Sequence, residues 1–210
     1  DFNQRQTSLK RVLVAPSWGK NSFLESHGAQ LVEVLLATGH HITLRPHVMA
    51  NRHRKHLLGR LERQFGSNPN FILDLGLESQ GEMSGYDLLV ADWGGSALEY
   101  AFGLGRPVLF VDVPRKVFNP EYKQISCTPL EVQVRSLIGD VVSPDRLREI
   151  PERIERLFGK STDSQDQLEQ LRTKWVFNIG SSGKIGAEYI ANTADGMRNE
   201  VVYGENISPS

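Results

Sequence analysis

Short apolar runs and amphipathic segments alternate along this chain. The runs have the length of β-strands, and residues 88–91 are apolar throughout, as in a strand that is buried on both faces. Other segments carry apolar residues three and four positions apart, as at Phe23, Leu31 and Leu35, and this spacing predicts helices. Six strands are predicted, at residues 11–15, 41–45, 71–75, 88–91, 108–112 and 139–142. Strands that alternate with helices predict an α/β fold built on a doubly wound parallel sheet.

The same patterns predict one domain followed by a tail. Helices are expected after the first strand, over residues 51–65, as a short helix within the connector 76–86, after the glycine pair at 94–95, and then at 132–137, 144–149, 151–158, 164–178 and 185–194. Periodicity is lost beyond Asp195. We therefore predict a single nucleotide-binding α/β domain over residues 1–195 and an irregular tail over 196–210.

Composition narrows the class of protein. The chain has 210 residues, 39% of them hydrophobic and 23% charged, which is ordinary for a soluble globular domain. Its net charge of −1 argues against nucleic acid as a partner. The single cysteine, Cys127, excludes an internal disulfide and a zinc–cysteine cluster. With no apolar run near the ~20 residues of a membrane span and no visible signal peptide, a cytoplasmic location is expected.

The stretch from Leu88 to Asp112 has the form strand, glycine turn, helix, strand. Gly94 and Gly95 are expected to turn the chain sharply and to leave room for a ligand. Ser96 and Glu99 fit a capping box at the start of the following helix. Because a helix start offers unpaired N–H groups, this position favours an anion such as a diphosphate. The alternative is that the glycines only form a tight turn and that Glu99 only caps the helix.

A second turn of the same kind follows the first strand. The loop Pro16–Asn21 leads into a helix whose start, Ser22 to Glu25, again fits a capping box. Both turns lie at carboxyl ends of strands, where open α/β sheets bind ligands. The sequence thus predicts a nucleotide-diphosphate site whose members share these two turns: Ser17, Trp18, Gly19, Gly94, Gly95, Ser96 and Glu99.

Charged or titratable residues near other strand ends are candidates for catalysis or for phosphate binding. His47 lies just past a strand end, after Pro46, and is predicted to act as a base or to hold a phosphate; the alternative is a structural histidine. Arg45, Arg115 and Lys116 are candidate phosphate contacts. The chain contains no Asp-x-Asp motif, so no metal site and no cofactor are predicted.

Several blocks together resemble a known family. They are residues 14–18, 44–47, 91–96, 106–110 and 175–180. In this order they resemble the C-terminal, GT-B-type half of the CDP-glycerol glycerophosphotransferases, the teichoic-acid polymerases and primases. The resemblance implies a Rossmann-like half of a GT-B fold, a CDP-glycerol-like donor, a separate N-terminal domain of the same chain, and a location on the inner face of the plasma membrane. The basic segment 51–65 could lie against anionic lipid, or could simply be a solvated helix face.

The glycine turn also resembles the diphosphate loop of GT-B glycosyltransferases and of UDP-N-acetylglucosamine 2-epimerases. That resemblance implies diphosphate binding by Gly94, Gly95 and Ser96 and ribose binding by Glu99. The glycerophosphotransferases carry a His-Gly-Thr-Pro block with a catalytic histidine, and this chain lacks it. We therefore expect a transferase domain that takes a glycerophosphate-type unit from a CDP-linked donor to an acceptor hydroxyl and is inactive as an isolated fragment. The alternatives are a UDP-sugar-binding or epimerase-like domain, and a non-catalytic nucleotide-binding module.

Overall fold

The structure is a computed structural model that describes residues 9–76, 82–117, 119–159 and 162–204, with the side chains of 162–165 and 195–204 left aside. It confirms the predicted fold class. In these ranges six strands form one sheet: β1 (Arg11–Ala15), β2 (His41–Leu44), β3 (Phe71–Leu73), β4 (Leu88–Ala91), β5 (Val108–Val111) and β6 (Gly139–Val142).

Helices connect the strands and continue after the last of them. The α-helices are α1 (Phe23–Leu36), α2 (Val48–His53), α3 (Lys55–Phe65), α4 (Ser96–Leu104), α5 (Leu130–Ile138), α6 (Ile150–Gly159), α7 (Thr162–Trp175) and α8 (Ser182–Gly204). Among the described residues, the 3₁₀ segments Tyr122–Gln124 and Pro144–Glu149 lie in the connections before α5 and α6.

The strand order creates a crevice at one edge of the sheet. All five strand pairs are parallel, and the order is β3-β2-β1-β4-β5-β6. Connections from β1 run outward in one direction and connections from β4 run outward in the other. In such a sheet the loops beyond the carboxyl ends of the two central strands diverge and leave room for a ligand. Here those strands are β1 and β4, in register from Val12–Leu88 to Ala15–Ala91.

Side chains alternate between the two faces of the sheet along each strand, and both faces are buried. Val12 and Val14 belong to one core together with side chains of α1, α3 and α6. Leu13, between them, is equally buried on the opposite face. The buried residues of α4 and α5 include Tyr100 and Val134. These strands therefore read as continuous apolar runs, as expected for a parallel sheet that is covered on both sides.

Several predicted segments end a few residues from where they end in the structure, and three differ in other ways. The helix predicted over 51–65 is two helices, because Arg54 leaves the helical region at φ −125° and ψ 30°. The short helix expected between residues 76 and 86 is not found over 82–86, while 77–81 lie outside the described residues. The predicted tail was wrong in part, because α8 continues to Gly204.

The chain divides into two compact units, Asp1–Glu169 and Gln170–Ser210. The first holds the whole sheet. In the second, the turn before α8 is closed by Ser182, whose hydroxyl donates to the carbonyl oxygen of Asn178 over 2.8 Å. Across the described ranges, no helix combines the length and the apolarity that a membrane crossing requires.

Candidate functional site

A cleft of about 500 Å³ opens where the loops after β1 and β4 diverge. Nine of the eleven residues predicted for the site line it: Ser17, Trp18, Arg45, His47, Gly94, Gly95, Ser96, Glu99 and Lys116. The other two, Gly19 and Arg115, are not among the residues that line it. Arg115 lines a neighbouring cavity of about 370 Å³ together with Trp93, the glycine turn, Lys116 and Glu131.

The carboxylate of Asp92 joins the two turns. It follows β4 directly, is only 2% exposed, and accepts from the N–H of Ser17 over 2.8 Å and from the N–H of Phe23 over 3.2 Å. Phe23 is the first residue of α1, so the same side chain satisfies a helix start and holds the β1 loop beside the β4 loop. No role was predicted for Asp92 from the sequence, although a charged residue directly after an apolar run was a usable signal.

The start of α4 is uncapped and opens on the cleft. The predicted capping box was wrong: the helix already begins at Ser96, its N-cap is Gly95, and no side chain bonds this end. An N-cap serine needs an extended backbone, and Ser96 is helical. Only Leu98 and Glu99 donate back to the carbonyl oxygen of Gly95, at 2.9 and 3.1 Å. Within the described ranges, the N–H groups of residues 94–97 have no protein acceptor.

The two glycines provide space rather than an unusual backbone. Gly95 has φ −64° and ψ −28°, which any residue adopts, so the expected dependence of this turn on glycine was wrong. A Cβ at Gly95 would meet nothing within 4 Å, and one at Gly94 would lie 3.8 Å from the Cβ of Ser17. Gly19, in the β1 loop, does have a positive φ of 107°. The side of the turn that faces the helix start is thus open to a ligand.

Lys116 reaches across the cleft mouth from the loop after β5. Its Nζ donates to the hydroxyl of Ser17 over 2.7 Å and also to the carbonyl oxygen of Trp18. Burial lowers the pKa of Lys116 below the usual 10.5, while Asp92 and Glu25 act in the opposite direction. Lys116 lines the same cleft as residues 94–96 at the open helix start, so the charged amine adds a positive charge there.

Trp93 and Trp18 are each covered by guanidinium groups. Arg135 of α5 lies 3.8 Å from the ring centre of Trp93 and donates to Asp112 over 2.9 Å. Arg115 lies over the same ring at 5.5 Å, and Arg54 lies over Trp18 at 5.5 Å. These stacked cations hold both tryptophans at the rim of the cleft. Neither Arg135 nor Arg54 was singled out from the sequence, because their partners are distant along the chain.

His47 serves as the N-cap of α2. Its Nδ1 accepts from the N–H of Met49 over 3.1 Å. An imidazole that accepts at Nδ1 carries its proton at Nε2 when it is neutral, so Nε2 is a hydrogen-bond donor. His47 therefore has a structural role, the alternative that the sequence left open. In this tautomer His47 can hold a phosphate oxygen but cannot accept a proton at Nε2.

The guanidinium of Arg45 is held by protein groups. It is 6% exposed, pairs with Asp74 at 2.9 Å, and donates to the carbonyl oxygen of Glu82 over 2.6 Å and to the hydroxyl of Tyr86 over 3.2 Å. Although Arg45 lines the cleft, three of its donors already have partners. Its geometry is that of a brace between β2 and the segment before β4.

Comparison with solved structures shows the fold. Glycosyltransferase VinC, solved in complex with DTDP, has a TM-score of 0.50 at 16% identity over 79% of this chain and 38% of its own. The UDP-GlcNAc 2-epimerase of Methanocaldococcus jannaschii, solved with UDP-GlcNAc and UDP, has a TM-score of 0.48 at 15% identity over 79% and 46%. The α,α-trehalose 6-phosphate synthase of Burkholderia multivorans has a TM-score of 0.48 at 10% identity over 96% and 45%.

The sheet with its helices matches the Rossmann-like half of GT-B glycosyltransferases, which confirms the fold that the sequence predicted. The chain spans less than half the length of each of these three proteins. No protein-family model matches it, and no curated protein sequence matches it significantly.

Proposed function

We propose that this chain binds the nucleoside diphosphate of an activated donor and forms the donor half of a GT-B-type transferase. The uncapped start of α4 is the observation that carries this proposal. The N–H groups of residues 94–97 have no protein acceptor within the described ranges, and residues 94–96 line the cleft at the topological switch point of the sheet. Such a start binds anionic oxygens through its N–H groups and through the helix dipole.

Side chains around the helix start complete a site for a diphosphate. Lys116 supplies a positive charge, and Nε2 of His47 supplies a further donor. Glu99, one turn into α4, is exposed and free of the capping contact that the sequence predicted. Its carboxylate is therefore available to accept from the hydroxyls of a ribose. Arg45 takes no part in phosphate binding in this proposal, because its donors hold Asp74 and the segment before β4.

The donor we favour is a CDP-linked polyol such as CDP-glycerol. In this reaction the acceptor hydroxyl attacks the phosphorus of the transferred glycerophosphate unit, the new O–P bond forms, and the bridging O–P bond breaks to release CMP. Phosphoryl transfer of this kind depends on alignment and on neutralised charge. The helix start, Lys116 and His47 supply both, with His47 as a donor to phosphate. The proton of the acceptor hydroxyl passes to a base outside this set.

A second candidate is a nucleotide-sugar transferase. The fold likeness to VinC, which was solved with DTDP, favours it. The same helix start would hold the diphosphate of a TDP- or UDP-sugar, and the bond that breaks would be the one between the sugar and the diphosphate. A 2-epimerase-like domain and a non-catalytic nucleotide-binding module use the same site without transfer.

Calorimetric titration tests the proposal directly. CDP, CDP-glycerol, UDP, TDP and a UDP-sugar are titrated into the folded protein at fixed salt. Binding of nucleoside diphosphates is expected, with CDP-glycerol at least as tight as CDP if the favoured donor is right. Tighter binding of UDP or TDP compounds selects the nucleotide-sugar candidate. If none binds to folded protein, the site is not a nucleotide site.

A further inference from the structure

The side chain of Lys116 joins the loops on either side of the glycine turn. Lys116 follows β5, whereas its two acceptors, the hydroxyl of Ser17 and the carbonyl oxygen of Trp18, follow β1. In the sheet β4 lies between β1 and β5, and the loop after β4 is the glycine turn at the start of α4. We call the amine of Lys116 with these two acceptors the lysine strap. The strap connects the first and the third of three neighbouring loops.

Lys116 also lies on the boundary between two cavities. It lines the cleft of about 500 Å³ and the neighbouring cavity of about 370 Å³. Among the described residues, the two linings share Trp93, Gly94, Gly95 and Lys116. The strap is therefore beside the glycine turn, and an anion that binds the N–H groups at the start of α4 comes close to it.

Both acceptors of the strap are neutral. The nearby carboxylates are engaged elsewhere, because Asp92 accepts from two backbone N–H groups and Glu25 pairs with Arg54 at 2.9 Å. Burial lowers the pKa of Lys116, although Asp92 and Glu25 act in the opposite direction. A phosphate oxygen adds the attraction of opposite charges to the hydrogen bond, so it is a stronger acceptor for this amine than a hydroxyl or a carbonyl oxygen.

The loop after β1 has other contacts that hold it in place. The N–H of Ser17 donates to the carboxylate of Asp92 over 2.8 Å, and the indole of Trp18 lies 5.5 Å from the guanidinium of Arg54. Neither contact involves Lys116. The amine can therefore leave its two acceptors while the loop keeps its position.

We propose that an anion at the start of α4 opens the lysine strap. The amine of Lys116 leaves Ser17 and Trp18 and donates to a phosphate oxygen, and the loops after β1 and β5 lose this connection. The inference rests on the proposed function, which puts the diphosphate at this helix start. Ser17 is then a positioning residue that acts through Lys116, although the sequence predicted it as a diphosphate ligand.

The two roles of Ser17 predict opposite effects when its hydroxyl is removed. A hydroxyl that binds phosphate adds to the affinity, so its loss weakens binding. A hydroxyl that holds the amine competes with the anion. We therefore expect Ser17→Ala to bind pyrophosphate about two- to tenfold more tightly, the range that corresponds to one hydrogen bond. Ser17→Thr keeps a hydroxyl and should bind like the wild-type protein.

Calorimetry with inorganic pyrophosphate and with CDP measures these affinities at fixed pH and salt, and melting temperatures show that each variant is folded. Ser26→Ala, at an exposed position of α1, is the matched control and should leave the affinity unchanged. In a Lys116→Met background Ser17→Ala should have no effect, because the strap is already absent. Binding that Ser17→Ala weakens or leaves unchanged contradicts the inference while the proposed function stands. Tightening that persists without Lys116 contradicts it as well.

Acetylation of lysines, followed by mass spectrometry, tests the strap without any ligand. In Ser17→Ala the amine of Lys116 loses an acceptor and should react about twofold faster or more than in the wild-type protein. Lys20, an exposed lysine of the loop after β1, is the internal control. An unchanged rate at Lys116 shows that Ser17 does not hold the amine and overturns the inference. If neither pyrophosphate nor CDP binds to folded wild-type protein, the proposed function fails, and opening of the strap by an anion fails with it.

Discussion

The buried carboxylate of Asp92, in the loop after β4, connects this loop to the loop after β1. It does so by accepting from the N–H of Ser17, which is 75 residues away in sequence. It accepts from the partly buried N–H of Ser17 and from the buried N–H of Phe23, which would otherwise lack these partners. Each unsatisfied buried group costs about 1–3 kcal/mol, so this one side chain matters for stability. It also keeps the β1 loop beside the helix start at which we place the diphosphate.

We predict that Asp92→Asn lowers the free energy of unfolding by about 1–3 kcal/mol, because an amide can accept only one of the two N–H groups with its oxygen. Urea unfolding measures the loss, and calorimetry should show weaker CDP binding. Asp87→Asn is the matched control. Asp87 also accepts a backbone N–H, that of Arg11 over 2.9 Å, but at the amino end of the sheet. A control that impairs binding as strongly would count against the role of Asp92.

Two substitutions of His47 separate its cap from its contact with phosphate. Asparagine is a good N-cap, whereas alanine is not, so His47→Ala should cost about 1 kcal/mol of stability and His47→Asn much less. Both remove the Nε2 donor. In a chain that carries the transferase activity, both should lower turnover by ~10²-fold or more, the scale for losing one donor to charge that develops in the transition state. Near-normal turnover of His47→Asn would show that the histidine is only a cap.

The lowered pKa of Lys116 leads us to expect that nucleotide binding depends on pH. Because burial lowers its pKa below 10.5, part of the amine is neutral at alkaline pH in the free protein. A bound diphosphate favours the charged amine and raises that pKa, so binding should take up protons and should weaken as the pH rises through the lowered pKa. Calorimetry in buffers of different ionisation enthalpy measures the uptake. Lys116→Met should abolish it, and Lys20→Met, in the exposed β1 loop, should not.

At the scale of elements, the start of α4 is the central feature. Its backbone is regular from Gly95 onward, and the glycines are not needed for any positive φ. What they provide is unfilled space in front of free N–H groups. A capping side chain here would stabilise the helix, but the start of α4 has none and its N–H groups are left free.

Gly95→Ala tests this view. Alanine fits φ −64° and ψ −28°, so we expect the free energy of unfolding to stay equal or to rise by about 0.4–1 kcal/mol. The added methyl stands at the proposed phosphate position, so CDP and pyrophosphate should both bind more weakly. Gly59→Ala, in α3, should stabilise without any change in binding. If Gly95→Ala binds CDP normally, the diphosphate does not approach this turn.

At the scale of the whole molecule, the chain supplies one Rossmann-like half. It spans 38% of the length of VinC, and its cleft opens at the carboxyl edge of the sheet. In a GT-B-type transferase an acceptor would approach the donor from a second domain. The reaction therefore belongs to a larger assembly in our proposal.

We predict that the 210-residue chain binds donor nucleotide but transfers no group to an acceptor. A longer natural product of the same gene that includes an upstream domain with a His-Gly-Thr-Pro block should do both. The measurement is CMP release from CDP-glycerol in the presence and absence of a polyol-phosphate acceptor. Transfer by the short chain alone would contradict the two-domain view. If the longer product also fails with every donor that binds, the chain is a nucleotide-binding module.

Much of the fold was readable from local patterns. The periods of apolar residues in strands and helices are properties of neighbouring positions, so the order and type of elements, including the edge strand Gly139–Val142, follow from them. Wrong predictions concern segments whose local pattern is compatible with two structures. The run 51–65 keeps its helical period across Arg54, but the side chain of Arg54 pairs with Glu25 at 2.9 Å and the backbone breaks there.

The sequence by itself determined that strand ends carrying small and polar residues would recur at 15–19 and 91–96, because both segments close an apolar run. Only the tertiary structure decided that β1 and β4 are neighbours and that Asp92 joins their loops. It also decided that Arg45 is a brace while Lys116 reaches the cleft. The physical reason is that these roles depend on which donors and acceptors meet after packing, and partners 29 to 99 residues apart leave no mark on a local pattern.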